Sequence, residues 1–283
     1  MRWSDLGRSP NLDDERGASG GGGMGFGKLG LGGIAVVVVI ALLTKQNPLA
    51  LLQQVQGDDP TATVPASPVT DATEEREMRF ISFVLDTTQA TWRQALPAEG
   101  RSWRDAHLVV FRDRFPSACG TADAATGPFY CPDDEKVYLD LGFYDELKTR
   151  FGAPGEFAQA YVLAHELGHH VQKVLGTEAR VRAEMARNPD RQNQLSVQLE
   201  LQADCYAGVW AHAAAKEGIV QAGDIDDGLR AAASVGDDRI QRMGGGAVHP
   251  ETWTHGSSAQ RTMWFRRGFD AGNVSACQTF SGN

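Results

Sequence analysis

The run Ala-His-Glu-Leu-Gly-His-His, residues 164–170, constrains this chain more than any other stretch, because it sits inside a longer apolar segment from Phe157 to Leu175. At helical spacing His165 and His169 stand one turn apart on one face, with Glu166 about 100° further round. Two imidazoles at i and i+4 can grip one Zn²⁺. The glutamate, turned too far to bind as well, is placed to act as general base on a water activated by the metal. The plain alternative is a helix bearing two surface histidines. In a chain with seven histidines the pattern arises by chance on the order of once in a hundred such sequences.

A catalytic zinc needs a third protein ligand and an open position for water. A helix is predicted over 191–216, and on it Glu200 is the candidate third ligand. Asp204, one turn later on the same face, is the candidate to accept the outer N–H of a ligating histidine and fix its tautomer. Their surroundings, LELQADCYAGVW, are otherwise apolar, where an unpaired carboxylate is costly. His170 points away from the ligand face and reads as structural, while His107 and His212 have no supporting context. His249 and His255 lie in VHPETWTHGSSAQR. His255, just before a helix start, is the candidate to hold the oxyanion of a tetrahedral intermediate, with Arg261 as its assistant or as a structural ion-pair partner.

The 283 residues divide by composition. Residues 1–23 are polar and glycine-rich and read as a flexible cytoplasmic head. Residues 24–44 contain LGLGGIAVVVVIALL and read as a transmembrane anchor if Lys28 snorkels; a cleaved signal peptide is the competitor. Arg2, Arg8, Arg16 and Lys28 precede the segment and only Lys45 closely follows it, which predicts a single pass with the bulk of the chain outside the cytoplasm. Residues 45–74, rich in Pro, Thr and Ala, read as a linker, and 75–283 as one folded domain. Within it, helices are predicted over 76–93, 156–175, 191–216, 224–243 (interrupted near Gly236) and 257–270. Strands are predicted at 106–111, around Phe129 and Tyr130, and at 136–141. A strand just before the metal helix can border a cleft and pair its free edge with an extended peptide; the alternative is an ordinary hairpin covering the core. The formal net charge of -9 excludes a nucleic-acid partner. The four cysteines fit no zinc-ribbon spacing; they read as two disulfides, Cys119 with Cys131 and Cys205 with Cys277, against the alternative of four buried thiols.

Taken together, the head MRWSDLGRSPNLDDERG, the apolar anchor, GPFYCP with KVYLDLGFY, FAQAYVLAHELGHHVQ, ELQADCYAGVWA and THGSSAQR resemble the bacterial "putative neutral zinc metallopeptidase" family. The pair H-E-x-x-H and E-x-x-x-D also resembles gluzincins in general. That resemblance implies a zincin-like α+β domain, mostly helical with a small sheet. It also implies His165, His169 and Glu200 as zinc ligands, Asp204 behind them and Glu166 as base. THGSSAQR is similar in placement to a Thr-His-Pro segment of membrane-associated gluzincins whose histidine faces the oxyanion, with Gly256 here in place of the proline. The implied protein is a membrane-anchored zinc metalloendopeptidase, a hydrolase acting on peptide or protein substrates. A zinc-stabilised scaffold domain without catalysis is the competing reading, and amide hydrolysis in cell-wall peptides would use the same chemistry.

Overall fold

In the computed structural model, residues 1–17, 72–123, 127–153, 155–243 and 247–280 are described. The anchor and nearly all of the linker, and the Gly244-Gly245-Gly246 run, lie outside them. Among the described residues no helix is long and apolar enough to cross a membrane.

One folded unit joins Met1–Arg16 to the chain from Val69 to Asn283. Its sheet has the order β1 (Leu12–Asp14), β2 (His107–Phe111), β6 (Lys136–Asp140), β5 (Phe129–Cys131). The first three strands are parallel, and β5 runs antiparallel at the far edge. The unbroken apolar run of β2 follows from its position, since both faces of this strand are covered. Leu108 and Val110 face the helical core, while Val109 and Phe111 pack with Tyr138 and Phe115 beneath a hairpin of β3 (Arg114–Ser117) and β4 (Gly120–Asp123). The Cys119–Cys131 disulfide ties the turn of that hairpin to β5.

The helical layer is α1 (Ala72–Ala95), α2 (Phe143–Thr149), α3 (Glu156–Leu175), α4 (Thr177–Arg187), α5 (Gln192–Lys216), α6 (Ala222–Ser234), α7 (Asp237–Met243) and α8 (Ser258–Ala271). The interruption expected near Gly236 separates α6 from α7. Helix α3 carries the histidine pair and is buried on nearly every side; only Glu156, Gln159, His169, Lys173 and Leu175 retain partial exposure. It lies against α5 at Gly168, where a Cβ would stand 3.0 Å from the carbonyl oxygen of Ala203. A glycine between His165 and His169 therefore lets the backbone of α5 approach, and with it Glu200.

Two expectations need correction. Residues 1–16 are not a flexible head. Strand β1 extends the sheet in parallel register with β2, Leu12 opposite Leu108, and Trp3 packs on Phe80 and Phe83 at ring distances of 5.4 and 6.3 Å. The Met1 amine meets Asp224 at 2.9 Å. Arg16, its side chain 2% exposed, bonds Asp14, Glu74 and Glu75. Arg8 and Arg16 are matched to carboxylates, which holds this polar arm to the domain although many of its residues are exposed. It follows that Arg8 and Arg16, both paired with Asp14 and Glu75, are not free cations from which to read a membrane orientation. The second correction concerns the strand at 136–140. It is not a free edge, being paired by β2 and β5 on its two sides; among the described residues the edge strands are β1 and β5, and β5 is the one whose residues line the cleft.

Candidate active site

Helix periodicity puts His165 and His169 on the face of α3 that meets α5, with ring centroids 4.9 Å apart and nearly perpendicular. Glu200 reaches them from α5: its Oε2 lies 3.2 Å from His165 Nε2 and its Oε1 3.4 Å from His169 Nε2. One donor atom from each of the three residues falls within 4.8 Å of the others, a cluster able to hold a metal ion. The donor set suits a cation electrostatically. Burial alone would lower the imidazoles, but the charge and hydrogen bond of Asp204 raise His165 to about 10, and Glu200 raises His169. Burial would likewise raise Glu200, yet His169 and His165 hold it well below the ordinary carboxylate value. These residues draw positive charge together, as protons or as a divalent ion that displaces them. Two imidazoles and a carboxylate are also a usual set for catalytic zinc.

Behind the ligands, Asp204 is fully buried and accepts four hydrogen bonds. His165 Nδ1 donates at 2.9 Å, Arg261 donates from Nε at 2.8 Å and Nη2 at 2.9 Å, and the Tyr161 hydroxyl makes a short bond. Arg261 thus has the structural ion-pair role, its fork spent on Asp204 and its Nη1 on the Val235 carbonyl at 3.2 Å. On the other side, His169 Nδ1 meets Gln172 Oε1 at 2.9 Å. Glu166 is 8% exposed and lines the same cleft; burial pushes its pKa up against the pull of the two histidines.

His255 reaches this cleft as well. Its Nδ1 faces Asp237 Oδ1 at 3.1 Å, while Asp237 Oδ2 collects the backbone N–H groups of Thr254, His255 and Gly256 at 2.7–2.9 Å. Gly256 has φ of +91°, and a Cβ there would press on Val197 and Leu201. Proline, locked near −65°, has no access to this conformation, so the segment departs from Thr-His-Pro for a backbone reason. His170 does not face the ligands. Its Nε2 donates to the Arg104 carbonyl at 2.8 Å, so in the neutral ring Nδ1 accepts from the Tyr130 hydroxyl at 2.9 Å. It thereby pins β5 to the metal helix. His107 pairs with Asp13, His212 bonds the Phe269 carbonyl, and His249 meets Glu251. The second disulfide, Cys205–Cys277, fastens α5 just past Asp204 to the C-terminal tail.

The cleft encloses about 810 Å³. Its lining includes the apolar Phe143, Phe151, Ile240 and Met243 and the charged Glu178 and Arg182. Sequence reasoning did not single out Tyr161, Tyr130 or Gln172. Tyr161 and Gln172 carried a positional signal, one turn before His165 and one turn after His169 on the same face.

An i, i+4 histidine pair on one helix, a carboxylate from a second helix packed against it and a buried glutamate opening on one cleft form the donor arrangement of zinc metallopeptidases. The chain belongs to the family described as "Putative neutral zinc metallopeptidase", whose profile matches residues 1–280. It is 42% identical over 294 aligned residues to "Uncharacterized protein YpfJ" of Escherichia coli (strain K12), covering 99% of each chain. It is 43% identical over 207 residues to "Uncharacterized protein Rv2575" of Mycobacterium tuberculosis (strain ATCC 25618 / H37Rv), covering 69% of this chain and 68% of that one. No solved structure matches it.

Proposed function

We propose that this protein is a zinc-dependent endopeptidase acting on extended peptide, with His165, His169 and Glu200 as ligands and Glu166 as general base. The observation that carries the reading is the three-donor cluster sharing a cleft with a buried glutamate and an open strand edge. A bound zinc ion would polarise the scissile carbonyl and acidify the attacking water. Glu166 takes that water's proton and later delivers it to the leaving amine; a carboxylate whose pKa burial has raised suits both tasks. His255, with Nδ1 held by Asp237, offers Nε2 to the carbonyl oxygen as it gains charge. The same contact keeps its pKa above the ordinary histidine value, which favours the charged donor.

The edge of β5 suggests how peptide lies. Antiparallel addition pairs better than parallel addition. It would carry the C-terminal half of a substrate past the start of β5, where a Cβ at Gly127 would stand 3.8 Å from the Phe143 ring. The Phe151 ring lies 6.3 Å from that of Phe143, Arg239 of α7 bonds the Phe151 carbonyl, and Ile240 and Met243 of the same helix, 41% and 47% exposed, line the cleft. The preferred residue just after the scissile bond is therefore bulky and apolar. Unfolded protein incubated with the zinc-loaded chain should be cut ahead of Leu, Ile, Met and Phe. Cutting should stop with a chelator and return with zinc; cleavage indifferent to chelator would sink the proposal.

Two disulfides support a compartment outside the cytoplasm. The bonds from Arg16 to Glu74 and Glu75 further require the arm and the domain to share one side of any membrane. We therefore expect Ser4→Cys and Ser275→Cys, both at exposed positions, to react alike with a membrane-impermeant maleimide in spheroplasts. Labelling of position 275 alone would restore a cytoplasmic head.

A further inference from the structure

We propose that Gln172 is the positioning residue for the ligand His169, and that its orientation is set by a buried relay anchored at the Cys205–Cys277 disulfide. The inference rests on the reading of His165, His169 and Glu200 as a metal site.

The two ligand histidines are held by unlike groups. His165 has a charged partner in Asp204, whereas His169 has a neutral amide. An amide can face an imidazole with either end, so something must decide which. Gln172 is 1% exposed, and its Nε2 donates to the carbonyl of Leu199 at 2.7 Å and to Gln202 Oε1 at 3.2 Å. A carbonyl oxygen can only accept, so turning the amide over would set oxygen against oxygen at Leu199. Oε1 must then face His169 Nδ1, at 2.9 Å. His169 consequently carries its proton on Nδ1 and presents the Nε2 lone pair toward Glu200 and the metal position.

The same logic fixes the next amide. Gln202 is 3% exposed and donates from Nε2 to the carbonyl of Cys277 at 2.8 Å, which leaves its Oε1 for Gln172. Cys277 belongs to a tail held to α5 by its bond to Cys205 and by Thr279, which donates to the Gln198 carbonyl at 2.7 Å. The order of constraint runs from the disulfide to Cys277 O, Gln202, Gln172 and His169. Gln172 also binds α3 to α5 at Leu199, the residue before the third ligand, so one side chain sets both the tautomer of His169 and its distance from Glu200.

The test measures zinc dissociation constants by chelator competition, with the melting temperature of the metal-free protein as control. Gln172→Leu should weaken zinc binding by roughly 10- to 100-fold, the usual span for partners of ligand histidines. Gln172→Glu, whose carboxylate can still accept from Nδ1 but sets oxygen against the Leu199 carbonyl, should lower the melting temperature as Gln172→Leu does yet bind zinc more tightly than that variant. A purely structural role predicts no recovery of zinc affinity in Gln172→Glu over Gln172→Leu. Gln202→Leu and the double variant Cys205→Ser/Cys277→Ser should each weaken zinc by a smaller factor, and combining them should add little, because both interrupt one relay. Wild-type affinity in Gln172→Leu would overturn the inference while the metal site stands. Additive losses in the combined variant would remove the disulfide from the relay. A wild-type chain that takes up no zinc would overturn the metal-site reading and this inference with it.

Discussion

Glu166→Gln should bind one zinc with wild-type affinity, keep the wild-type fold and cleave peptide at least about 10³-fold more slowly, a loss of roughly 4 kcal/mol of transition-state stabilisation. The substitution is nearly isosteric and removes only the ability to take up a proton. Glu166 is not part of the donor cluster formed by His165, His169 and Glu200, so metal content should not change. Its side chain is buried at the cleft wall, where an amide of the same shape packs equally well. The pH dependence carries a sign. Burial raises the Glu166 pKa, so the base is protonated and the enzyme inactive at pH values where an ordinary surface carboxylate would still work. In the wild type kcat/KM should therefore fall on the acid side from above the ordinary carboxylate range. Side-by-side sequencing of termini released by wild type and Glu166→Gln measures both points. Full activity in the variant would remove Glu166 from the chemistry and assign the proton transfer to another group.

How much of this site could be read from sequence depended on whether the signal was local. His165, Glu166 and His169 are legible because one helix face brings them together, and helical spacing is a property of adjacent residues. Glu200 and Asp204 are legible for a different reason: two carboxylates one turn apart in an apolar helix need a buried cation or donor, even before its identity is known. Gln172 shares the helix face but leaves no such trace, since a neutral amide in a helix is unremarkable until the Leu199 carbonyl and Gln202 are seen around it. Arg261 was ambiguous for want of a distance, and its bonds to Asp204 resolve it.

The fold shows the same division. Metal helix and strands appeared where periodicity or apolar runs announced them. Strand β1 did not, because three residues, Leu12–Asp14, have no pattern of their own and become a strand only on the edge of β2. Helix α4 was missed because it buries only Thr177 and Val181, too thin a stripe to mark amphipathicity. The open edge was assigned one strand too late, since nothing local says that β6 is paired on both sides.

Arg261→Leu should produce the largest loss of stability of any substitution near the site. Asp204 is fully buried and takes two of its four hydrogen bonds from this guanidinium. Removing one member of a buried ion pair leaves the other charged and desolvated, typically a loss of about 3–5 kcal/mol, which in a domain of this size lowers Tm by roughly 10 °C. Lysine should not restore it, because a point charge replaces neither the fork to Asp204 nor the bond to Val235. Acid should narrow the difference. Burial pushes the Asp204 pKa up, but Arg261 and His165 outweigh it and hold the group below its ordinary value. The pair's contribution is thus present above about pH 3.9 and lost only as pH falls through that depressed value. Without Arg261, burial raises the folded-state pKa, so protonation neutralises the orphaned carboxylate and the variant should lose less stability on acidification than the wild type. Pairing the change with Asp204→Leu separates two roles. The double variant has no orphaned charge and should regain much of the melting temperature, while zinc affinity stays low because His165 Nδ1 has lost its acceptor. If the double variant recovered both, Asp204 would be serving Arg261 alone, and the orientation of His165 would need another source.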